Sequence, residues 1–434
     1  NLSESTIVGD SDVLEVVFLN SGTNPISSAS LNWSINNVNQ PSIYWTGNLL
    51  STDKDTLVLG PIHYQSGYNE VVVWISSLGA LNDTTHQDDT IRAINYTCDS
   101  LLNGNYIVGV NGDFPDIQSA LDILNKCGIS GNVNLLLRSG SYDAFILQGS
   151  INGASLTNIV TITSLAQHAD SVIFSGNVPL TISGAYHFKF SYVTFDARIA
   201  GGYAVYFSGM AEDVEISHCR ILADPIGTSS SAAGIYKASA TGTVDNIRII
   251  ANVIDGGYYG IYFYGGTGTS DYGTNVIVDS NLITNQYYYA NYFYYTDFSS
   301  VSHNTILSRT ANTSTYWYGI RFYYCNFVAD GNKIQQRSTA ITYPYLAYIY
   351  YASYYNTLLP SEFINNELIG TTTSTYYGIY AGTSNVLNMY HNSIYMSGTG
   401  GSRNIYIASS TTSSYDIKNN IVVNDNASGY PIYF

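Results

Sequence analysis

Three aspartates and two arginines in the second half of the chain have the residue types that general acid–base chemistry needs: Asp271, Asp279, Asp297, Arg309 and Arg321. A calcium-dependent polysaccharide lyase requires several oxygen ligands for the cation and a basic residue that takes a proton. A glycoside hydrolase requires two carboxyl groups placed across the scissile bond. These aspartates are single in the sequence. Solvated turn carboxylates are therefore the simpler interpretation, and catalysis is an alternative.

Three histidines stand at one equivalent position of a sequence repeat: His218, His303 and His391. Imidazoles on one face could bind a metal, but other repeats place Ala251 and Ser280 at the same position. We therefore expect outward or corner histidines. No Ser/His/Asp signature and no glycine-rich phosphate loop occurs in the sequence, so we predict no catalytic residues, no metal and no cofactor.

Tyrosine is the unusual component, with 42 of the 434 residues, 22 of them between positions 258 and 355. Neighbouring residues of a strand point to opposite faces, so we expect one ring of each adjacent pair inside the fold and the other in water. Exposed tyrosine supplies amphipathic contact area at low entropic cost, although aromatic stacking for stability alone would also use these residues. The predicted adhesive surface consists of Tyr258, Tyr259, Tyr287, Tyr288, Tyr289, Tyr294, Tyr295, Tyr323, Tyr324, Tyr350, Tyr351, Tyr354 and Tyr355.

Composition narrows the class of protein. The net charge is −16, and charged residues make up 11% of the chain, against about 25% in an average soluble protein. Scattered Lys and Arg give no footprint for a phosphate backbone, so nucleic acid is not an expected partner. No apolar run is long enough for a membrane span. The richness in Tyr, Gly, Ser and Thr favours strands and turns, and we predict an all-β protein.

Two regions follow different patterns. Residues 1–96 contain alternating strand-like segments separated by turns, at a spacing typical of a β-sandwich of about 100 residues. Residues 97–131 contain one helix-like stripe, Ile117, Ala120, Leu121 and Leu124, ending before Gly128. We expect this helix to cap a long β region and to shield its first edge.

Residues 132–434 repeat. From Cys219 to Asn420 seven intervals span 201 residues, a mean near 29. Two markers share this period, which indicates at least two strands per coil of a solenoid with about 10–12 coils. The first marker is a column of Asn, which we expect to form an inward ladder: Asn252, Asn281, Asn304, Asn332, Asn366, Asn392 and Asn420. The second has the form Gly-Ile-Tyr, as at Gly234, Gly260 and Gly378.

Parts of the chain resemble a known group of proteins. The segment 31–38 (Leu-Asn-Trp-Ser-Ile-Asn-Asn-Val), with Tyr44-Trp45-Thr46-Gly47, resembles CARDB-like immunoglobulin-type modules of secreted Bacteroidetes proteins. The segments 104–109, 114–121, 127–133 and 139–142 resemble the opening of right-handed parallel β-helix domains of the pectin-lyase-like class in Bacteroidetes cell-surface proteins. Proteins of this kind are exported by type IX secretion, and some are gliding adhesins. The resemblance implies an extracellular, cell-surface location and neighbouring domains in a longer polypeptide.

Export has two further implications. A disulfide between Cys98 and Cys127, which flank the predicted helix, is expected in an oxidising environment, whereas we interpret Cys219 and Cys325 as reduced and buried. Asp-Ser/Thr-apolar triplets look like the O-glycosylation sites of Bacteroidetes. They place candidate acceptors at Thr56, Thr84, Thr90, Ser100 and Ser171.

The sequence thus favours a non-catalytic, extracellular repeat protein: an adhesin or stalk segment that holds a tyrosine-rich face away from the cell. Expected partners are a polysaccharide, a solid surface or other cell-surface proteins. Two alternatives remain open. One is a pectin-lyase-like carbohydrate-active enzyme, which predicts clustered acids and a basic residue in a cleft. The other is a glycan-binding module, which predicts parallel tyrosine rings on one exposed face.

Overall fold

The computed structural model describes residues 11–79, 89–199, 201–238, 242–266, 271–372, 374–408, 413–426 and 428–434. The chain divides into two compact units, one formed by Asn1–Leu102 with Ile123–Gly128 and the other by Asn103–Asp122 with Ile129–Phe434. Strands dominate both units, and the described residues contain a single α-helix. The prediction of an all-β protein is confirmed.

The first unit contains two antiparallel sheets. One sheet pairs β1 with β5, and the other has the order β3-β2-β6-β7 with β4 also paired to β2. The strands are β1 (Ser11–Leu19), β2 (Ile26–Ile35), β3 (Val38–Asn39), β4 (Ile43–Leu49), β5 (Lys54–His63), β6 (Gly67–Ser77) and β7 (Thr90–Thr97).

One hydrophobic core joins these two sheets. Phe18 of β1 and Leu59 of β5 belong to the same buried cluster as Trp33 of β2 and Val73 of β6. The indole nitrogen of Trp33 donates to the carbonyl oxygen of Pro41 at 3.0 Å, so this large side chain is buried without leaving its one donor unpaired. Alternating apolar residues from both sheets therefore build a shared interior.

Helix α1 (Ile117–Cys127) begins and ends where the sequence pattern predicts. The Asp116 carboxylate caps it by accepting a hydrogen bond from the backbone N–H of Ser119 at 2.7 Å. Gly128 follows with a left-handed φ of 72°, the conformation that glycine adopts most readily after a helix. The structure joins Cys98 to Cys127 by a disulfide.

The second unit is a parallel β-solenoid in which each coil from β13 (Ala185–Ser191) onward contributes three strands. The first stack of parallel strands consists of β8 (Leu102–Val108), β9 (Ile129–Leu137), β11 (Val160–Ser164), β13 (Ala185–Ser191), β16 (Ala211–Ser217), β19 (Val244–Ile250), β22 (Gly273–Asp279), β25 (Thr296–Ser300), β28 (Asn326–Asp330), β31 (Ser361–Ile364), β34 (Val386–Tyr390) and β37 (Ser414–Lys418).

Two further stacks share one hydrogen-bonded sheet, which begins with β10 (Gly140–Gln148) and the long β12 (Val172–Ser183). The second stack consists of β14 (Thr194–Asp196), β17 (Arg220–Leu222), β20 (Val253–Asp255), β23 (Leu282–Gln286), β26 (Thr305–Ser308), β29 (Lys333–Gln335), β32 (Glu367–Thr372), β35 (Ser393–Gly398) and β38 (Ile421–Asp425). The third stack consists of β15 (Tyr203–Phe207), β18 (Ala233–Lys237), β21 (Tyr259–Tyr264), β24 (Tyr289–Tyr294), β27 (Tyr316–Tyr323), β30 (Tyr343–Tyr350), β33 (Tyr376–Ala381), β36 (Ser402–Ile407) and β39 (Tyr430–Tyr433).

The asparagine ladder lies at the corner between the first and second stacks. The backbone N–H of Asn281 donates to Oδ1 of Asn304 at 3.0 Å, and Nδ2 of Asn304 donates to the carbonyl oxygen of Val278 at 2.7 Å. The same contacts recur from Asn252 to Asn420. Each rung therefore satisfies buried backbone groups that the corner takes out of the strand ladders.

Close packing between coils explains the glycine of the Gly-Ile-Tyr marker. A Cβ atom on Gly319 would lie 2.5 Å from the carbonyl oxygen of Leu346 in the next coil, and one on Gly260 would lie 2.5 Å from that of Ala290. Successive coils approach too closely at this register position for a side chain on every coil.

Candidate binding face

Tyrosine side chains cover the outward surface of the third stack. We call this surface the tyrosine face and divide it into columns that run along the solenoid axis. Column 1 consists of Tyr259, Tyr289, Tyr318, Tyr345 and Tyr377. Column 2 consists of Tyr236, Tyr262, Tyr292, Arg321, Tyr348, Tyr380 and Tyr406. Column 3 consists of Tyr264, Tyr294, Tyr323 and Tyr350.

Within a column the rings are stacked nearly parallel. In column 1 the centroid of Tyr318 lies 4.7 Å from that of Tyr289 and 4.8 Å from that of Tyr345. In column 2 the rings of Tyr348 and Tyr380 are 4.8 Å apart with an interplanar angle of 4°. These separations match the spacing of neighbouring strands, about 4.8 Å, so the backbone register sets the stack.

The expectation that adjacent tyrosines point to opposite faces is wrong for these pairs. Tyr295, Tyr324 and Tyr351 directly follow column 3 residues, and each has a left-handed φ of 44–54°. A residue in this conformation turns a corner, and the two-residue alternation of a strand does not apply to it. The three rings form a fourth column beside the third, with Tyr324 and Tyr351 4.3 Å apart.

Other predicted adhesive residues lie at the margins of the tyrosine face. Tyr258 stacks on Tyr288 at 5.0 Å, just before column 1 begins in each coil. The ring of Tyr287 lies 5.6 Å from the Arg309 guanidinium. Tyr354 and Tyr355 lie in the turn after β30, where Tyr354 contacts Tyr324 edge to face. Tyr355 is the most exposed of the predicted set, at 42%.

The stacking decides which parts of the rings remain available. Because each ring inside a column is covered on both sides by a neighbouring ring or by the Arg321 guanidinium, a sugar or a nucleobase has no free aromatic face to stack on. The hydroxyl groups of Tyr318, Tyr345 and Tyr348 have no partner in the described part of the chain, and they are not buried. The tyrosine face therefore presents ring edges and a lattice of hydroxyl groups, which can donate and accept hydrogen bonds.

Burial extends to higher pH the range in which these phenols stay protonated. Desolvation, with a smaller contribution from neighbouring tyrosines, raises the pKa of Tyr236, Tyr258 and Tyr348 to about 12 each. Desolvation also raises the pKa of Tyr318 and Tyr345 above the usual value. The lattice is thus neutral across the physiological pH range.

Arg321 replaces a tyrosine in column 2. Its guanidinium lies 4.7 Å from the ring centroid of Tyr292 and 5.2 Å from that of Tyr348, and its Nη1 donates to the hydroxyl of Tyr289 at 3.1 Å. Burial by itself would lower the pKa of Arg321, but the surrounding tyrosines raise it above the usual value. The cation is therefore held by aromatic rings and not by a carboxylate.

The set proposed for catalysis is not brought together. Asp279 and Asp297 lie on the first stack, whereas Arg321 lies on the third. Asp279 accepts hydrogen bonds from the side chain of Ser300 and the backbone N–H of Ser302. A corner separates successive strands of a coil, so residues that are close in sequence are directed to different faces.

The remaining members of this set also have other roles. Arg309 donates to the backbone carbonyl oxygens of Asn285 and Gly227. Asp271 interacts electrostatically with buried Lys237. Burial lowers the pKa of Lys237 to about 8, and the Asp271 carboxylate partly opposes this shift. Burial raises the pKa of Asp297 and no charged neighbour contributes to that shift, which is a property that general acids share.

The three histidines occupy corner positions directly before the asparagine ladder. His218, His303 and His391 have left-handed φ values of 55–58°, and all three are exposed. Among the residues that the structure describes, no group of three or more His, Cys, Asp or Glu side chains could hold a metal ion. Within the same part of the chain, no helix is long and apolar enough to cross a membrane.

The predicted glycosylation acceptors differ in accessibility. Thr56, Thr90 and Ser100 are exposed, whereas the Ser171 hydroxyl is half-buried and donates to the carbonyl oxygen of His168 at 2.6 Å. Thr84 lies outside the described residues. Three of the five sites are thus open to a modifying enzyme.

Sequence reasoning missed the centre of the tyrosine face. Tyr318, Tyr345 and Tyr348 each contact four other tyrosine rings, but they are not in adjacent pairs and were not assigned to a surface. Their signal was the coil period. The tyrosine directly before the Gly-Ile-Tyr marker, such as Tyr259 or Tyr318, and the tyrosine of the marker itself each recur about once per coil, so each set must form a column along the axis.

Comparisons with known proteins give little beyond the fold. No protein-family model matches the chain, and no curated protein matches it. The chain is similar to the pectin methylesterase from Aspergillus niger in deglycosylated form, at 10% identity and a TM-score of 0.25, over 76% of this chain and 87% of that chain. It is also similar to a mutant of the PL6 family alginate lyase AlyGC, at 9% identity and a TM-score of 0.33, over 74% of this chain and 54% of that chain.

A third similar structure is the catalytic domain of a GH87 α-1,3-glucanase in complex with tetrasaccharides, at 10% identity and a TM-score of 0.23, over 95% of this chain and 91% of that chain. Because these identities and TM-scores are low, we draw no conclusion from them about activity or substrate. The parallel solenoid follows from the strand pairing itself.

Proposed function

We propose that this protein is a non-catalytic, extracellular binding protein, an adhesin or stalk segment, and that its tyrosine face binds an extended polymer or a solid surface. The observation that supports the proposal is the wall of stacked tyrosines along the third stack. Stability alone would be served by apolar rings. Tyrosine adds hydroxyl groups, and those of the half-buried Tyr318, Tyr345 and Tyr348 have no partner in the described chain and are not fully buried.

The periodicity of the tyrosine face favours a regular partner. Hydroxyl groups in one column repeat with the coil spacing of about 4.8 Å. A polysaccharide chain in extended conformation, or the surface of a solid, also repeats its hydrogen-bonding groups at short intervals. Many weak contacts in register then combine into useful affinity, as in other multivalent interactions.

The proposal includes a cell-surface origin. The resemblance of residues 104–142 to β-helix domains of Bacteroidetes adhesins supports type IX secretion, a role in attachment or gliding, and location at the bacterial surface. Under this proposal, further domains adjoin these residues in a longer polypeptide, Cys98 and Cys127 remain oxidised, and exposed acceptors such as Thr56 carry glycans.

The proposal also includes a domain arrangement. Residues 1–96 form an immunoglobulin-like, CARDB-like module, which the two antiparallel sheets around one core support. Residues 97–131 form the junction with the capping helix, and residues 132–434 form a right-handed β-helix. Right-handedness is supported by the rule that crossovers between parallel strands are right-handed in about 98% of cases.

Retention on immobilised polymers tests the function. The purified protein is applied to a panel of neutral and acidic polysaccharides, glass and polystyrene, and sugar release is assayed in the same wells with and without calcium. We expect retention without turnover, and weaker retention when Tyr318, Tyr345 and Tyr348 are changed to Phe. The matched control changes the exposed Tyr44, Tyr68 and Tyr395 to Phe. If the unaltered protein is retained on none of these surfaces, the proposal is contradicted.

A second function, carbohydrate-active catalysis of the pectin-lyase-like class, is favoured by one observation. Asp297 is a half-buried carboxyl group whose pKa burial raises, a property that general acids share. Under this alternative the wells release reducing or unsaturated sugar, and Asp297→Asn abolishes the release while retention persists. Sugar release that depends on Asp297 would replace the adhesin proposal.

A further inference from the structure

The third stack differs in charge from the rest of the protein. The whole chain carries a net charge of −16, yet the nine strands β15 to β39 of the third stack contain no Asp or Glu. They contain three cations, of which Lys237 is fully buried. Arg321 and Arg403 are therefore the charged groups of the tyrosine face, and its strands are positive in an acidic protein.

Four of the seven other arginines, all in the described chain, form salt bridges with carboxylates. Arg198 pairs with Asp196 at 2.6 Å, and Arg248 pairs with Glu215 at 3.5 Å. No described carboxylate forms a salt bridge with Arg321 or Arg403. Both guanidinium groups are partly buried, and neither has the paired carboxylate that usually compensates for the loss of hydration.

Arg321 has unused hydrogen-bonding capacity. Its Nε is buried and has no partner. Its Nη1 uses one bond on the Tyr289 hydroxyl. Its Nη2 has no acceptor in the described chain and is not buried. A guanidinium with five N–H donors that makes one bond to the protein is open to an anionic acceptor from outside.

Arg403 repeats this arrangement three coils further along the axis, at a distance of about 14 Å for a coil spacing of about 4.8 Å. Its guanidinium lies 4.3 Å from the ring centroid of Tyr433, and its Nη1 donates to the Tyr377 hydroxyl at 3.3 Å. The two cations are thus mounted in the same way, on tyrosine rings and one tyrosine hydroxyl, at two points of one surface.

We propose that Arg321 and Arg403 bind carboxylate groups of a uronic-acid polysaccharide that lies along the tyrosine face, with the tyrosine hydroxyls hydrogen-bonded to its sugar hydroxyls. This inference rests on the proposed function and names the class of its ligand. Two cations on a surface without carboxylates are complementary to a polyanion. The hydroxyl lattice between them suits a polymer that carries hydroxyl groups along its whole length.

Nucleic acid fits this surface less well. Single-stranded nucleic acid binds through base stacking on free aromatic faces, and the faces of the rings within the columns are covered by neighbouring rings. A phosphate backbone also requires clustered basic residues, whereas this surface has two separated cations. An acidic protein would use the arginines but has no regular array of hydroxyl groups for the tyrosine lattice.

The test compares one polymer in two charge states. Immobilised polyglucuronate and its methyl ester differ in their carboxylates, so the difference in affinity reports the arginine contacts. We expect the full chain to bind polyglucuronate at least tenfold more tightly than the ester, and to lose this preference as salt is raised. Replacing Arg321 with Gln, or Arg403 with Gln, should each weaken polyglucuronate binding about tenfold and so reduce the preference for polyglucuronate over the ester.

The matched control is Arg248→Gln, which removes one equal charge from the first stack. Arg321→Lys keeps the charge and should retain part of the preference, and circular dichroism identifies a variant that does not fold. Equal binding of the acid and the ester would overturn this inference while the proposed function stands. Binding to sulfated dextran or to polyglutamate as tight as to polyglucuronate would overturn the assignment to uronic acids. No binding to any polymer would overturn the proposed function as well.

Discussion

The ring of Tyr318 lies parallel to that of Tyr345, with 4.8 Å between centroids and 4° between planes. The two residues are register partners on adjacent parallel strands, so the backbone hydrogen bonds that stack the coils also stack the rings. A fold with one residue of the same type per coil produces such a column without any special geometry. The tyrosine columns on the surface therefore follow directly from the sequence repeat.

Removing one ring from column 1 should destabilise the solenoid. Tyr345 contacts Tyr318 at 4.8 Å and Tyr377 at 4.9 Å, and each aromatic pair contributes about 0.5–1.5 kcal/mol beyond its buried area. We expect Tyr345→Ala to lower the free energy of unfolding by about 2–4 kcal/mol, measured by urea denaturation. Tyr345→Phe keeps both ring contacts and should change it by less than about 1 kcal/mol. Equal losses for both variants would contradict a stacking role.

The asparagine ladder should be sensitive at a single rung. Asn304→Ala removes the acceptor of the Asn281 backbone N–H and the donor to the Val278 carbonyl. Each buried polar group left without a partner costs about 1–3 kcal/mol, so we expect a loss of about 3–5 kcal/mol in the free energy of unfolding. Asn134→Ala removes an exposed side-chain hydrogen bond to Asn105 and serves as the control. A loss no larger than that of the control would show that the ladder is not stabilising.

Alkaline pH should unfold the solenoid through its tyrosines. The pKa of Tyr236 and of Tyr348 is about 12 in the folded protein, against about 10 in an unfolded chain. Because the folded state holds these protons more tightly, its stability is complete below pH 10 and declines as the pH rises from 10 through 12. Phenolate absorbance at 295 nm and circular dichroism should therefore change together above pH 10. Titration of nearly all 42 tyrosines near pH 10 with the fold intact would contradict this prediction.

The Cys98–Cys127 disulfide should stabilise the region around it. It closes a loop with a sequence separation of 29 residues, for which the loop-entropy relation gives about 3–4 kcal/mol. We expect the double variant Cys98→Ser/Cys127→Ser to lose about this amount in chemical denaturation.

The two remaining cysteines provide an internal control for the disulfide. Burial raises the pKa of Cys219 and of Cys325 to about 12, so both thiols should resist alkylation in the native protein and react only after unfolding. Mass spectrometry should thus find no alkylated cysteine in the native protein and two in the unfolded, unreduced protein. Four alkylated cysteines without a reductant would rule out the disulfide.

The repeat was predictable because the residues that recur in it are buried. An Asn such as Asn304 recurs once per coil because its side chain is hydrogen-bonded to the rungs on both sides, and this period is retained although the turns vary in length. The third strand of each coil was not predicted. In the sequence, the strand before each Asn, such as β22, and the strand after it look like one continuous unit. The reason is that only a corner residue and the Asn itself lie between the two strands.

The candidate site was predicted in composition but not in geometry. Tyr294 and Tyr295 are adjacent, and strand alternation predicts opposite faces for them, yet the left-handed corner at Tyr295 keeps both rings outside. The φ of a non-glycine residue cannot be read from its type. The environment of Arg321 was not predictable for a different reason. Its register partners, Tyr292 and Tyr348, lie about 30 positions away in the sequence on either side.

Chemical labelling of tyrosine tests the binding role of the tyrosine face most directly. The full chain is iodinated briefly with and without a saturating polysaccharide that retains it, and the label at each tyrosine is measured by mass spectrometry. Iodine enters the ring edge beside the hydroxyl, which is the part that the columns leave open. Our account predicts that the polymer protects Tyr318, Tyr345 and Tyr348 severalfold and leaves the exposed Tyr44 and Tyr395 unchanged. Equal labelling of the column tyrosines with and without bound polymer would contradict it.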